Sequence, residues 1–259
     1  MAIYDINGNE IISGSTGDSS QSELQRKFSC KNIIWLGDSI HAYSQWDGVT
    51  IPYLFQNHSG AKCYNWCQGG TTMAKMGVEN YDPYSGVGMV DALISRDFTE
   101  QKTYQEDRSF TSQVSEMEVF DMANAKYIII EFGTNDALKN VTLDNFDDTL
   151  DTYTTGGALR YMIKTLQTAY PKLGIAVCNV QKMTGWLDSE HTKSYDSKNQ
   201  TDLINHICID LSITVIDIYN LLGLNDYTSS TLLQDGLHRT HVGKLKQVQI
   251  IENRMIQLF

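Results

Sequence analysis

Apolar runs bounded by polar turns recur along the chain at NIIWLG (32–37), KCYNW (62–66), KYIIIEFG (126–133), GIAVCNV (174–180) and ITVIDI (213–218). Several are apolar almost throughout rather than alternating, the pattern of strands covered by helices on both faces. Between and after them, helical spacing is found at about 49–57, 114–125, 145–170, 198–211 and 241–258. The last stretch carries apolar residues at 242, 245, 248, 251, 255 and 258, one face of a helix. Five strand–helix alternations joined by right-handed crossovers predict an α/β fold with three layers, α/β/α, around a doubly wound, parallel five-stranded sheet.

Two segments interrupt this rhythm. Residues 73–113 contain Gly77, Gly86, Gly88 and several tyrosines with weak periodicity, and are expected to form a lid or a binding wall. The stretch TGWLDSEHTKSYD (184–196) follows the fourth strand. Both leave the carboxyl ends of strands, where open α/β sheets bind ligands. At the N-terminus, Asn7-Gly8 between two short apolar–polar runs is a hairpin signal, and SGSTGDSSQS (13–22) is too small and polar to pack. Residues 1–25 therefore read as a hairpin and linker appendage, either a surface decoration or a joint to a larger assembly, and residues 26–259 as one domain.

Composition narrows the partners. With 41% hydrophobic and 20% charged residues the chain resembles an ordinary soluble globular protein. No apolar stretch approaches the roughly 20 residues of a membrane span. A net charge of −11 without a Lys/Arg cluster argues against nucleic acid, and mildly against a strongly anionic polymer as substrate. The N-terminal MAIYDINGNE lacks a basic region followed by an apolar one, so no signal peptide is expected. Five scattered cysteines (Cys30, Cys63, Cys67, Cys178, Cys208) form no CxxC pair and are expected to be buried free thiols in a reducing compartment.

Four short motifs carry the chemistry. Gly37-Asp38-Ser39 follows the first strand, placing a hydroxyl at the sheet's carboxyl edge beside a backbone N–H, although a serine helix cap would look the same. Cys67-Gln68-Gly69-Gly70 follows the second strand, and either glycine lets the backbone turn an N–H toward a ligand. Gly133-Thr134-Asn135-Asp136 follows the third, where Asn135 offers an NH₂ donor and Asp136 caps the next helix. Asp235-Gly236-Leu237-His238 precedes the last helix; a carboxylate three residues before a histidine can reach its Nδ1–H. In a flavodoxin-like strand order of 2-1-3-4-5, the first three motifs converge on one rim and the fourth reaches it from across. A nucleophile, a base with its orienting acid and three oxyanion donors are what acyl transfer needs.

In their order and spacing these blocks resemble the SGNH (GDSL-type) hydrolase superfamily, from about residue 30 to the C-terminus. The resemblance implies Ser39 as nucleophile, His238 as base and Asp235 as its partner. It implies an oxyanion hole of the Ser39 N–H, the Gly70 N–H and the Asn135 side chain. The second block departs from the usual G-x-S-G, so Gly69 is an alternative to Gly70. The resemblance asks for no cofactor and no metal; His241 beside His238 reads as a surface or capping residue rather than a ligand.

The superfamily includes carbohydrate O-acetylesterases, lipases, thioesterases and acyltransferases. Loops rich in Tyr, Trp, Gly and Asn, and the lack of a long apolar run, favour deacylation of a short-chain, acetyl ester on a sugar or polysaccharide. Asp38, Trp46, Tyr84, Trp186 and His191 are candidate substrate contacts, although loop aromatics also serve as packing. The N-terminal segment resembles the connectors of modular or phage-tail-associated esterases, and a cytoplasmic or virion-associated setting is expected. The rivals are a lipase or thioesterase of the same superfamily and a non-catalytic glycan-binding module on an esterase fold.

Overall fold

The computed structural model describes residues 3–4, 10–12, 23–44, 47–183 and 197–258. Two short strands, β1 (Ile3–Tyr4) and β2 (Glu10–Ile12), pair antiparallel. The Asn7-Gly8 turn, the 13–22 linker and the 184–196 stretch lie outside the described residues. The other five strands are β3 (Asn32–Gly37), β4 (Lys62–Asn65), β5 (Ala125–Glu131), β6 (Gly174–Cys178) and β7 (Thr214–Ile216). They form one all-parallel sheet in the order β4-β3-β5-β6-β7, the predicted 2-1-3-4-5.

Side chains alternate across the sheet into two cores, which is why these strands are apolar on both faces. Ile34, Leu36, Ile128, Ile130, Ile175 and Val177 face one layer, where the helices Gly86–Ser95, Thr111–Val119, Thr155–Ala169 and Lys198–Asp210 pack. Ile33, Trp35, Tyr127, Ile129, Ala176 and Cys178 face the other, covered by the helix at 23–28 and the helices Ile51–Ser59 and His241–Leu258. Fully burying one such aliphatic side chain is worth about 1.5–3 kcal/mol, so the two central strands, β3 and β5, anchor the domain.

Three elements depart from the pattern reading. The helix expected over 145–170 begins only at Thr155. Ahead of it, Asx turns consume the backbone donors: Asn145 Oδ1 accepts from Asp147 and Asp148, Asp148 from Leu150, and Asp151 from Tyr153. The helix expected over 114–125 ends at Val119, and Asp121 then caps a 3-10 turn leading into β5. The 73–113 segment is no open wall. It contains the Gly86–Ser95 and Thr99–Tyr104 helices, and Met73, Val87, Val90, Leu93, Phe98 and Phe110 fill the core. The cysteines are free thiols; Cys67, Cys178 and Cys208 are buried as expected, but Cys63 is half-buried and Cys30 is exposed at a turn with φ 61°.

Candidate active site

β3 ends at Gly37, and the Asp38 N–H donates to the Glu131 carbonyl at 3.2 Å, fastening the turn to the end of β5. The Asp38 side chain accepts from the Ile40 N–H at 2.9 Å and caps the short Ser39–Ala42 helix. Ser39 is thereby the first helical residue at the carboxyl edge of β3, 5% exposed.

The loop before the last helix supplies its partner. Asp235 Oδ1 accepts from the Leu237 and His238 N–H groups at 3.0 and 2.7 Å, which folds the loop around the carboxylate. Gln181 Nε2 donates to the Leu237 carbonyl at 2.6 Å and holds that loop near the end of β6. The imidazole of His238 lies between Asp235 and Ser39: Nδ1 is 2.7 Å from Asp235 Oδ2, and Nε2 is 2.8 Å from Ser39 Oγ. With the proton on Nδ1 donated to Asp235, Nε2 accepts from the serine hydroxyl. Burial would raise the Asp235 pKa, but hydrogen bonds from the His238 side chain and backbone hold it below the usual carboxylate range. Asp235 is therefore ionised at neutral pH and, as a carboxylate, accepts from the imidazole Nδ1–H.

The other two motifs reach the same rim. Gly70 has φ +74°, a left-handed conformation that favours glycine, and a Cβ there would meet nothing within 4 Å. Gly69 differs, since a Cβ there would lie 2.4 Å from the Tyr43 hydroxyl. Open space thus adjoins Gly70 and not Gly69. Asn135 is 8% exposed, and its Nδ2 donates one hydrogen to the Thr71 carbonyl at 2.9 Å, leaving a second. Asp136 accepts from the Met73 and Ala74 N–H groups at 2.8 and 3.1 Å, tying the Gly70 loop to the Asn135 helix. Its burial outweighs these bonds and pushes its pKa up to about 6. Among the described residues, neither the Ser39 nor the Gly70 N–H donates to a protein acceptor.

The expected substrate contacts fare differently. Asp38 is fully buried, 0% exposed, and Tyr84 is 1% exposed. Tyr84 packs edge-on against Phe110 and donates its hydroxyl to the Gln101 carbonyl, so it belongs to the core and touches no substrate. Asp38 caps a helix below the serine and is likewise out of reach. Trp46, Trp186 and His191 lie outside the described residues. Tyr43 belongs to none of the four motifs, yet its ring lies 5.1 Å from that of His238 at 37°. Its position four residues after Ser39, one helical turn on, was the only available signal.

Beneath Ser39 lies a buried polar cluster. The Glu131 carboxylate, 2% exposed, contacts His41 Nε2 at 2.7 Å, Gln247 Nε2 at 2.5 Å and Arg239 Nη2 at 3.3 Å. Burial would raise the Glu131 pKa, but the charges of His41 and Arg239 and the hydrogen bonds outweigh it and hold it at about 2. Among the described residues one trio, His41, Glu131 and Cys178, brings ligand-type atoms within 4.8 Å of one another. The Arg239 guanidinium at Glu131 opposes a cation there, and the carboxylate is already engaged on both oxygens, so the trio does not suit a metal. His241 pairs with Asp47 at 3.0 Å, as a surface residue.

A hydroxyl that shares its proton with an imidazole, itself held by a carboxylate, can attack a carbonyl carbon while donors beside it receive the developing oxyanion. The comparisons with known proteins point to an ester hydrolase in general. Residues 35–244 match the GDSL-like Lipase/Acylhydrolase family. No curated protein matches the chain. Among solved structures, a protein from Lactobacillus plantarum is similar with TM-score 0.67 at 19% identity, covering 90% of this chain and 99% of that one. A possible lipase from Chitinophaga pinensis gives 0.60 at 13% identity, covering 88% and 98%. The lipase/acylhydrolase from Enterococcus faecalis gives 0.51 at 15% identity, covering 88% and 96%. At these identities the likeness is one of fold. The family match spans most of the chain and includes all four motifs, and the chain belongs to the GDSL-like lipase/acylhydrolase family within the SGNH hydrolases.

Proposed function

We propose that the chain is a serine esterase that removes short acyl groups, acetyl above all, from a carbohydrate or polysaccharide. The observation that carries the reading is the relay in which one imidazole meets Asp235 Oδ2 at 2.7 Å and Ser39 Oγ at 2.8 Å. His238 takes the Ser39 proton as the hydroxyl attacks the ester carbonyl. The Ser39 and Gly70 N–H groups and the Asn135 NH₂ receive the oxyanion, one such donor being worth about 10²–10³ in rate. The alcohol leaves with the proton from His238, and water activated by the same imidazole releases the acid from the acyl-enzyme. Nucleophile, base and oxyanion donors all come from the chain, so the scheme asks for no metal or organic cofactor.

Two features support a short acyl group on a polar alcohol. Most apolar side chains of 73–113, Met73, Val87, Val90, Leu93, Phe98 and Phe110 among them, are packed into the core and so are not free to hold a long acyl chain. Beside His238 lies the half-buried Tyr43, an aromatic face with a polar hydroxyl. The paired β1 and β2 strands, ahead of the family match, are proposed as a joint to a larger assembly.

The family's description favours a second reading, a lipolytic enzyme acting on longer acyl chains. Hydrolysis of p-nitrophenyl esters from acetate to palmitate, by wild type and Ser39→Ala in parallel, separates the two. Turnover highest on acetate and lost in the variant, followed by acetate release from acetylated glycans, supports the proposal. A preference for palmitate would favour the lipase. No ester hydrolysis, with glycan binding unchanged in Ser39→Ala, would make the protein a binding module.

A further inference from the structure

Glu131 is the last residue of β5, next to the motif that holds Asn135, and the relay described above does not use it. Yet it joins both halves of that relay. Its main-chain carbonyl accepts from the Asp38 N–H at 3.2 Å, one residue before Ser39. Its carboxylate meets His41 Nε2 at 2.7 Å, two residues after Ser39. The other carboxylate oxygen meets Arg239 Nη2 at 3.3 Å, one residue after His238. Gln247 Nε2, from the helix that follows His238, completes the set. Ser39 and His238 are 199 residues apart in sequence. Glu131 therefore links the turn that carries one to the loop that carries the other.

Stability alone does not account for the cluster. His41, Glu131 and Arg239 are 0%, 2% and 1% exposed, and taking three ionisable groups out of water is costly. Apolar side chains of similar volume commonly hold such segments together as well or better. They lack direction, however. A carboxylate with two fixed oxygens sets the angle at which each partner arrives, and a guanidinium is a rigid donor. The Oγ–Nε2 distance of 2.8 Å needs two loops placed to within a fraction of an ångström, which directional bonds to a central strand can supply.

Resting on the serine-esterase reading, we propose that Glu131, with His41 and Arg239, is a positioning unit that aligns Ser39 with His238. It touches no substrate. It lowers the barrier by holding the hydroxyl and the imidazole in attacking geometry, and it contributes little to substrate affinity.

The test separates alignment from folding. In Glu131→Leu/Arg239→Met the buried pair becomes apolar at similar volume, and His41 keeps its contact with Gln247 at 3.1 Å. The double variant is expected to melt within a few degrees of wild type. Its kcat on p-nitrophenyl acetate should fall about 10-fold to 100-fold, with KM within about twofold, as expected for lost alignment. Labelling of Ser39 by a fluorophosphonate, which needs the activated serine and no specific substrate contact, should slow by the same factor. A folded double variant with wild-type kcat and wild-type labelling overturns the proposal. If the double variant does not fold, His41→Gln, which retains a donor toward Glu131, is compared with His41→Leu, which does not. Activity kept in the first and lost in the second supports the proposal, and equal activity overturns it. Labelling of the wild type keeps the two failures apart. If wild-type Ser39 is not labelled at all, the esterase reading falls and takes this proposal with it; if it is labelled and the variants match it, only the positioning role falls.

Discussion

The Tyr43 ring lies against the His238 imidazole, centroids 5.1 Å apart and planes inclined by 37°. Gly69 makes that contact possible, because any Cβ at 69 would fall 2.4 Å from the Tyr43 hydroxyl and 2.7 Å from its ring. Gly69→Ala is therefore expected to push Tyr43 off the imidazole and lower kcat about tenfold with the fold intact. Tyr43→Ala should reproduce the loss, and the double substitution should add little to either single one, because both act through one contact. Steady-state kinetics of the three variants checks this; additive losses would mean that Gly69 acts independently of Tyr43.

Gly70 and Asn135 make different demands. Gly70→Ala meets no atom within 4 Å, so its cost is backbone strain at φ +74°, roughly 1–2 kcal/mol of stability, together with displacement of its N–H. Asn135→Ala removes a side-chain donor. Each is expected to lower kcat about 10²-fold to 10³-fold with KM little changed, since an oxyanion donor acts mainly in the transition state. Kinetics on p-nitrophenyl acetate with melting curves alongside measures both effects.

Asp38 gives stability a pH dependence of definite sign. Its burial outweighs the hydrogen bond from Ile40 and raises its pKa from 3.8 to about 8. Between those values the folded protein retains a proton that the unfolded chain has lost, so this group's contribution falls as pH rises, by roughly 1.4 kcal/mol per pH unit. Glu131 acts in the opposite sense but at lower pH; with its pKa held at about 2, its contribution is complete above its ordinary 4.5 and so constant between pH 5 and pH 8. Asp38→Asn mimics the protonated acid. Its stability relative to wild type should rise between pH 5 and pH 8, as read from urea midpoints at the two pH values. A difference independent of pH would mean that Asp38 is ionised throughout.

The thiols should divide by burial. Burial holds Cys67 and Cys178 well above the usual thiol pKa and pushes Cys63 and Cys208 up to about 12, whereas Cys30 is exposed. Iodoacetamide at neutral pH is expected to label Cys30 first in the native protein, and the other four only after denaturation. Peptide mapping of the alkylated protein distinguishes the two sets.

The sheet was legible because parallel strands covered on both faces must be apolar throughout, and β3 and β5 have that composition almost without interruption. Three of the four motifs were legible because strand order alone brings the carboxyl ends of β3, β4 and β5 to one rim, and the fourth because Asp235 stands three residues before His238. Elsewhere the signals were ambiguous. Nothing local distinguishes Tyr84, sealed against Phe110, from a tyrosine on an open wall. The Asn145–Asp151 turns hid the true start of the Thr155–Ala169 helix, because their apolar residues fall at helical spacing while their Asx side chains bind the backbone. The Glu131 cluster depends on contacts between residues 41, 131, 239 and 247, and no single segment carries that information.

The most direct test of a serine mechanism is intact-mass spectrometry of the protein quenched within its first turnovers of p-nitrophenyl acetate. The expected result is a single acetyl group on Ser39, formed with a burst of p-nitrophenol and absent from Ser39→Ala. Hydrolysis that proceeds with no acyl group on Ser39, or that continues at the wild-type rate in Ser39→Ala, would contradict it.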